Sequence, residues 1–185
     1  MESVLVYGAD EFFGLSFCEH LMEEDINVDV VLAETNDKTK QLFLDERLMW
    51  LARNEKFRLV EQHDITDYDQ VFIQYTGVGL GEIQQPIVLF IYEHQLIKEE
   101  LKECAEHIQT IVLPKMYGPW DVTEIDKKSL VDHFFVDDVA AQLVNCTCRK
   151  KSSPIQFEKI TTEQEAFAKI EAWKKRISTI FDNMN

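Results

Sequence analysis

Ser3-Val4-Leu5-Val6-Tyr7-Gly8-Ala9-Asp10-Glu11-Phe12-Phe13-Gly14 is the stretch that decides the fold. Ser3 to Tyr7 is a short apolar run that stops at Gly8. Beyond it Phe13, Phe17 and Leu21 recur at helical spacing, with Cys18 and Met22 beside them. Strand, glycine turn and helix begin a dinucleotide-binding βαβ unit, whose helix N-terminus is built to hold a pyrophosphate. Gly8 and Gly14 stand at the two ends of the turn, but Glu11 occupies the middle. A glycine there lets the backbone approach the phosphates, whereas a carboxylate adds bulk and like charge. The stretch announces a nucleotide-binding fold and damages the feature that would bind the nucleotide.

The rest of the chain alternates strands with helices. Asn27 to Glu34 reads as a second strand, Asn36-Asp37 can start a helix running to about Asn54, and Phe57 to Glu61 reads as a third strand. Asp69 to Tyr75, Pro86 to Tyr92 and Thr110 to Leu113 are further strands, with a helix expected from about Gln95 to Glu106. Only Val78 to Gln85 separates strands four and five, which is tight for a parallel crossover and leaves no room for a helix. A short helix is expected over Val139 to Cys146 and a last strand over Pro154 to Ile160. Thr162-Glu163-Gln164-Glu165 is a capping box opening a terminal helix that carries Phe167, Ile170, Trp173 and Ile177 on one face. This pattern means an α/β protein with a doubly wound parallel sheet in three α/β/α layers. At 185 residues the expectation is a single domain over 1–185.

Composition bounds the function. With 34 acidic against 19 basic residues the net charge is −15, which argues against a nucleic-acid partner. No apolar stretch approaches the ~20 residues that cross a bilayer, and no signal peptide is visible, so no membrane is expected. Cys18, Cys104, Cys146 and Cys148 lack paired spacings, which suggests reduced thiols in a cytoplasmic protein. Cys146-Thr147-Cys148 lacks the second half of a zinc signature, and no metal site is expected. The Gly77-Val78-Gly79-Leu80-Gly81 cluster is not a phosphate loop, since no Gly-Lys-Ser/Thr follows. Glu34 lies twenty residues beyond Gly14, where a dinucleotide fold bonds the adenosine ribose; it reads equally as an exposed acid at a strand end.

Four segments together resemble the extended short-chain dehydrogenase/reductases, the family of NAD-dependent epimerases and dehydratases. Tyr7 to Gly14 looks like the family's Thr-Gly-x-x-Gly-x-x-Gly turn, and Asp64-Ile65 resembles its adenine-contacting acidic-aliphatic pair. Leu113 to Pro119 is similar to its Tyr-Gly-Pro loop beside the substrate, and Val136-Asp137-Asp138-Val139-Ala140 to its Val-x-Asp-Val-Ala helix start. The resemblance implies a Rossmann-like fold with NAD or NADP as cofactor. Gly8, Asp10, Glu11, Phe12, Gly14, Glu34, Asp64 and Ile65 would line the cofactor, and Tyr117, Gly118 and Pro119 the substrate side.

The departures bear on catalysis. The family's Tyr-x-x-x-Lys pair works because the lysine lowers the tyrosine pKa. Tyr92 is the tyrosine nearest the expected place, but Leu96 stands four residues on; Lys98 has His94 before it. Phe90 and Ile91 occupy the place of the family's substrate-bonding Ser/Thr, and a full substrate lobe does not fit after Pro119. Three readings follow. The first is a non-catalytic Rossmann domain binding a dinucleotide weakly as a sensor or regulator. The second is a scaffold for a protein partner or homodimer, with no ligand. The third is an unorthodox oxidoreductase or epimerase using Tyr92 with His94, or Tyr117.

Overall fold

A computed structural model describes residues 3–61, 68–75, 86–95, 108–121, 127–148 and 155–183. Asp64-Ile65, the 77–81 glycine cluster, the helix expected over Gln95–Glu106, Leu96, Lys98 and Cys104 lie outside the described residues, apart from that helix's first residue. So does the connection between strands four and five, apart from its ends.

The strands are β1 (Ser3–Ala9), β2 (Asn27–Leu32), β3 (Phe57–Leu59), β4 (Gln70–Gln74), β5 (Ile87–Tyr92) and β6 (Ile108–Leu113). They form one sheet in the order β3-β2-β1-β4-β5-β6, and every pairing is parallel. This is the Rossmann order, with the first strand central and the direction of winding reversing between β1 and β4. Strand one runs two residues past the expected stop. Gly8 takes φ of 74°, a left-handed conformation that costs a glycine nothing, and the register with β2 shifts there. The ladder resumes at Ala9, whose carbonyl accepts from the Ala33 amide at 2.9 Å.

Helices α1 (Phe13–Glu23), α2 (Lys38–Leu51) and α3 (Val136–Cys148) follow. The α1 residues Phe13, Phe17, Cys18, Leu21 and Met22 are all buried, as their spacing predicts. They pack with Val4, Val6, Phe72, Val88 and Phe90 of the sheet and with Val139, Ala140, Leu143 and Val144 of α3. Phe13, Phe17, Phe72 and Phe90 form one aromatic cluster directly behind the β1–α1 turn, with ring centroids 4.9–6.0 Å apart. On the opposite face Leu5, Val71, Ile73, Ile87, Leu89 and Ile91 are buried as a second apolar cluster. Strands β1, β4 and β5 are therefore apolar on both faces, as central strands of a parallel sheet must be.

A two-stranded parallel ribbon, β7 (Met116–Tyr117) with β8 (Phe134–Phe135), leads into α3. The last helix, α4 (Glu163–Asn183), starts at the expected capping box. Thr162 donates its backbone amide to the Glu165 carboxylate at 3.0 Å, and Glu165 returns its amide to the Thr162 hydroxyl at 3.3 Å. Phe167 and Ile170 of α4 cover Tyr117, Leu130 and Phe135, while Trp173 and Ile177 cover Phe43 and Trp120.

The expected last strand over Pro154 to Ile160 does not form across residues 155–160. Helix α3 holds that segment instead. Gln142 exchanges two hydrogen bonds with the Glu158 backbone, and Asp138 accepts from the amides of Ile160 and Thr161. Backbone groups engaged by a helix in this way are not free for a sheet ladder. Among the described residues no helix is long and apolar enough to cross a membrane.

Candidate functional site

The crevice above the C-terminal ends of β1, β4 and β5 is where this fold places a ligand. The turn from β1 into α1 sets the amides of Phe12 and Gly14 at the start of the helix, the place where a Rossmann fold receives a pyrophosphate. Both amides are already engaged. Asp10 Oδ1 accepts from Gly14 at 2.8 Å and from Phe12 at 3.2 Å. Its other oxygen accepts from the Tyr92 hydroxyl at 2.8 Å and from the Gln74 side-chain amide. A carboxylate of the chain itself thus sits at the positive end of α1, where it is stabilised by the amides and the helix dipole.

Glu11, the residue that breaks the glycine pattern, is buried to 5% exposure beside Asp10. Burial raises its pKa above the usual carboxylate range and the Asp10 charge adds to the rise, while Lys40 at 3.6 Å opposes it. The third position of the turn is held to glycine by packing. A Cβ on Gly14 would lie 2.5 Å from Gln74 Oε1 and 2.6 Å from Ala9 Cα. Gly8 and Gly14 thus keep the geometry of the turn while the side chains of two acidic residues, Asp10 and Glu11, fill it.

Tyr92 ends β5 with its hydroxyl directed at Asp10. Burial first, and then the Asp10 charge and hydrogen bond, raise its pKa well above 10. That is opposite to what a tyrosine acid/base needs. His94 stacks on the Tyr92 ring with centroids 5.5 Å apart, which places the pair together but gives the tyrosine no cation bonded to its oxygen. Glu34 is exposed just past the end of β2.

The Tyr117-Gly118-Pro119 loop lies packed beneath α4. Tyr117 is 5% exposed, edge-on to Phe135 with centroids 5.7 Å apart. Burial raises the pKa of its hydroxyl, with Glu163 and Asp138 adding to the rise. A Cβ on Gly118 would meet Val136 Cγ1 at 2.6 Å, so that glycine serves close packing against α3. Cys18 is buried and Cys146 of α3 is a free thiol; the side chain of Cys148 lies outside the described residues. No group of His, Cys, Asp and Glu suited to a metal occurs among the described residues.

Two residues of the crevice were missed by motif reading. Gln74 bridges Asp10 and Tyr92 from the end of β4, donating to both oxygens. Arg47 of α2 is 2% exposed and clamps the turn from behind. It donates to the carbonyls of Glu11 at 2.7 Å and Phe12 at 2.9 Å, to Ser16 Oγ at 2.8 Å and to the Glu19 carboxylate at 2.7 Å. Its position inside the apolar stripe of α2, between Phe43, Leu44 and Leu51, is the signal that marks it as inward-facing.

No family model matches this sequence. Among solved structures, the yeast methylglyoxal/isovaleraldehyde reductase Gre2 complexed with NADPH is similar at 15% identity with a TM-score of 0.32. That likeness covers 48% of this chain and 36% of the reductase. Among curated proteins, the uncharacterized protein YjaV of Bacillus subtilis (strain 168) is 41% identical over 189 residues, covering 98% of this chain and 99% of that one. This chain, a Rossmann-like parallel α/β protein by its strand order, therefore belongs to the family of Bacillus subtilis YjaV.

Proposed function

We propose that this chain is a non-catalytic Rossmann-fold protein on the plan of the extended short-chain dehydrogenase/reductases, acting as a protein-interaction scaffold. The observation that carries this reading is the Asp10 carboxylate. It sits on the two helix amides that would otherwise receive a dinucleotide phosphate. A phosphate charge placed ~4 Å from one carboxylate is repelled by about 4 kcal/mol at an effective dielectric near 20, and Glu11 adds a second acidic group. The packed Tyr117 loop and the raised pKa of Tyr92 support the absence of chemistry.

A second reading, a weak NAD or NADP sensor in which Asp10 swings aside for the ligand, is favoured by the intact turn at Gly8 and Gly14 and by the exposed Glu34. Calorimetric titration with NAD(H) and NADP(H) separates the two. The scaffold reading expects no heat from the wild type, and weak binding gained by Asp10→Ser combined with Glu11→Gly. Wild-type binding in the micromolar range would establish the sensor. Turnover of a nucleotide sugar that disappears on Tyr92→Phe would overturn both.

A further inference from the structure

Trp120 has an unusual backbone for so large a side chain. The Gly118 carbonyl accepts from the Asp121 amide at 3.4 Å, closing a turn in which Trp120 takes φ of 70°. Glycine or asparagine normally fills that left-handed place in a turn, and a bulky residue is strained there. Such strain persists only where the surroundings over-determine it. Here the surroundings are α2 and α4. The indole is 7% exposed and meets Phe43 of α2 and Trp173 of α4 edge-on, with centroids 6.1 and 5.6 Å apart. The guanidinium of Arg176, one turn beyond Trp173, lies over it at 5.4 Å. The guanidinium of Arg47 also rests over this indole, at 5.5 Å. Its Nη1 holds the carbonyls of Glu11 and Phe12, while its buried Nε has no hydrogen-bond partner among the described residues. The Phe12 side chain packs on the cluster of Phe43, Trp120 and Ile177. The β1–α1 turn therefore meets the Trp120 cluster twice, through Arg47 and through Phe12.

We infer that Trp120 and α4 form a strap on the β1–α1 turn, so that the docking of α4 is felt at the crevice. With α4 docked, Trp173 and Arg176 keep the indole against Arg47 and Phe12 in spite of the strained backbone. With α4 displaced, that hold is lost and Trp120 returns to the negative φ a tryptophan prefers. A side chain cannot keep its place while its φ changes sign, so the indole leaves Arg47 and Phe12 in the same step. The coupling is carried by two discrete arrangements of one residue that α4 biases. Trp120 is thus a positioning residue, acting on the turn through Arg47. The inference stands apart from the scaffold reading, since it concerns the turn whether or not a ligand enters the crevice.

Hydrogen exchange followed by NMR on the full chain tests this, read at the Phe12 and Gly14 amides against Leu89 in the middle of β5. Trp173→Ala cuts Trp120 loose from α4. It is expected to speed exchange at both turn amides about tenfold relative to Leu89, the order set by losing one aromatic pair and the cation–π contact that depends on it. Trp120→Gly is expected to do the same, because glycine keeps the turn but brings no indole to Arg47. The two changes together are expected to be no faster than either alone, since the second acts on a contact already lost. Trp173→Phe, which keeps a ring against Trp120, is expected to stay close to the wild type. Equal acceleration at Leu89 and at the turn, or no acceleration of the turn, overturns the inference, as do two effects that multiply in the double variant.

Discussion

Asp10 is expected to hold the crevice together, and a double-mutant cycle with Tyr92 measures how strongly. Asp10→Ala removes the acceptor for two helix amides, the Tyr92 hydroxyl and the Gln74 amide. Loss of a helix cap costs about 1 kcal/mol. Leaving a buried donor unpaired costs about 1–3 kcal/mol, and two side-chain donors lose their acceptor here. Water entering the part-exposed crevice recovers some of this, so a total near 3 kcal/mol is expected. At about 2–4 °C per kcal/mol for a chain of this size, the melting temperature falls by roughly 6–12 °C. Tyr92→Phe alone removes one charge-assisted bond and is expected to cost about 1.5 kcal/mol. Because that bond is already absent in Asp10→Ala, the double variant should cost about 1 kcal/mol less than the sum. Urea unfolding of the four proteins gives each value. Additivity within about 0.3 kcal/mol would show that the hydroxyl and carboxylate do not interact, and an Asp10→Ala cost below about 0.5 kcal/mol would refute the capping role.

Gly14→Ala is expected to destabilise by about 1–3 kcal/mol in urea unfolding, since the added Cβ meets Ala9 backbone at 2.6 Å and that strand cannot yield cheaply. Arg47→Met should cost about 3–5 kcal/mol by the same measurement, because the carbonyls of Glu11 and Phe12 and the Glu19 carboxylate lose their donor together. Glu11→Gln probes the pH dependence. Since the folded pKa of Glu11 lies above 4.5, the folded state holds the proton more tightly than the unfolded chain, and stability declines as pH rises from about 4.5 through the folded value. The glutamine variant lacks that decline, so melts at pH 7 should favour it relative to its difference from the wild type at pH 4; a pH-independent difference would contradict the burial argument.

The strands and helices that could be read from the sequence are those whose apolar period is uninterrupted. The run Val4 to Tyr7, the spacing of Phe13, Phe17 and Leu21, and the capping box at Thr162 each carry a local physical cause, and each element forms where that cause lies. Residues 155–160 show why the period alone is insufficient. Ile155 and Phe157 alternate as a strand would and both pack on the core, yet the Gln142 and Asp138 side chains of α3 capture the backbone between them and Thr161. Such a competitor is sixteen or more residues away in sequence, beyond the reach of any local pattern. The site failed to show itself for a different reason. In a glycine-turn motif the position of Asp10 is a variable one, and attention falls on the glycine that Glu11 replaces. Read as a helix start, the same residues give another answer: an Asp two residues ahead of the N-cap Phe12 can take the amides of Phe12 and Gly14 on its own carboxylate. The cap and the pyrophosphate compete for the same amides, so a turn whose own carboxylate takes them is complete without a nucleotide. Gly8 and Gly14 are then retained for the backbone and packing they allow, and the conflict between a preserved turn and its acidic filling disappears.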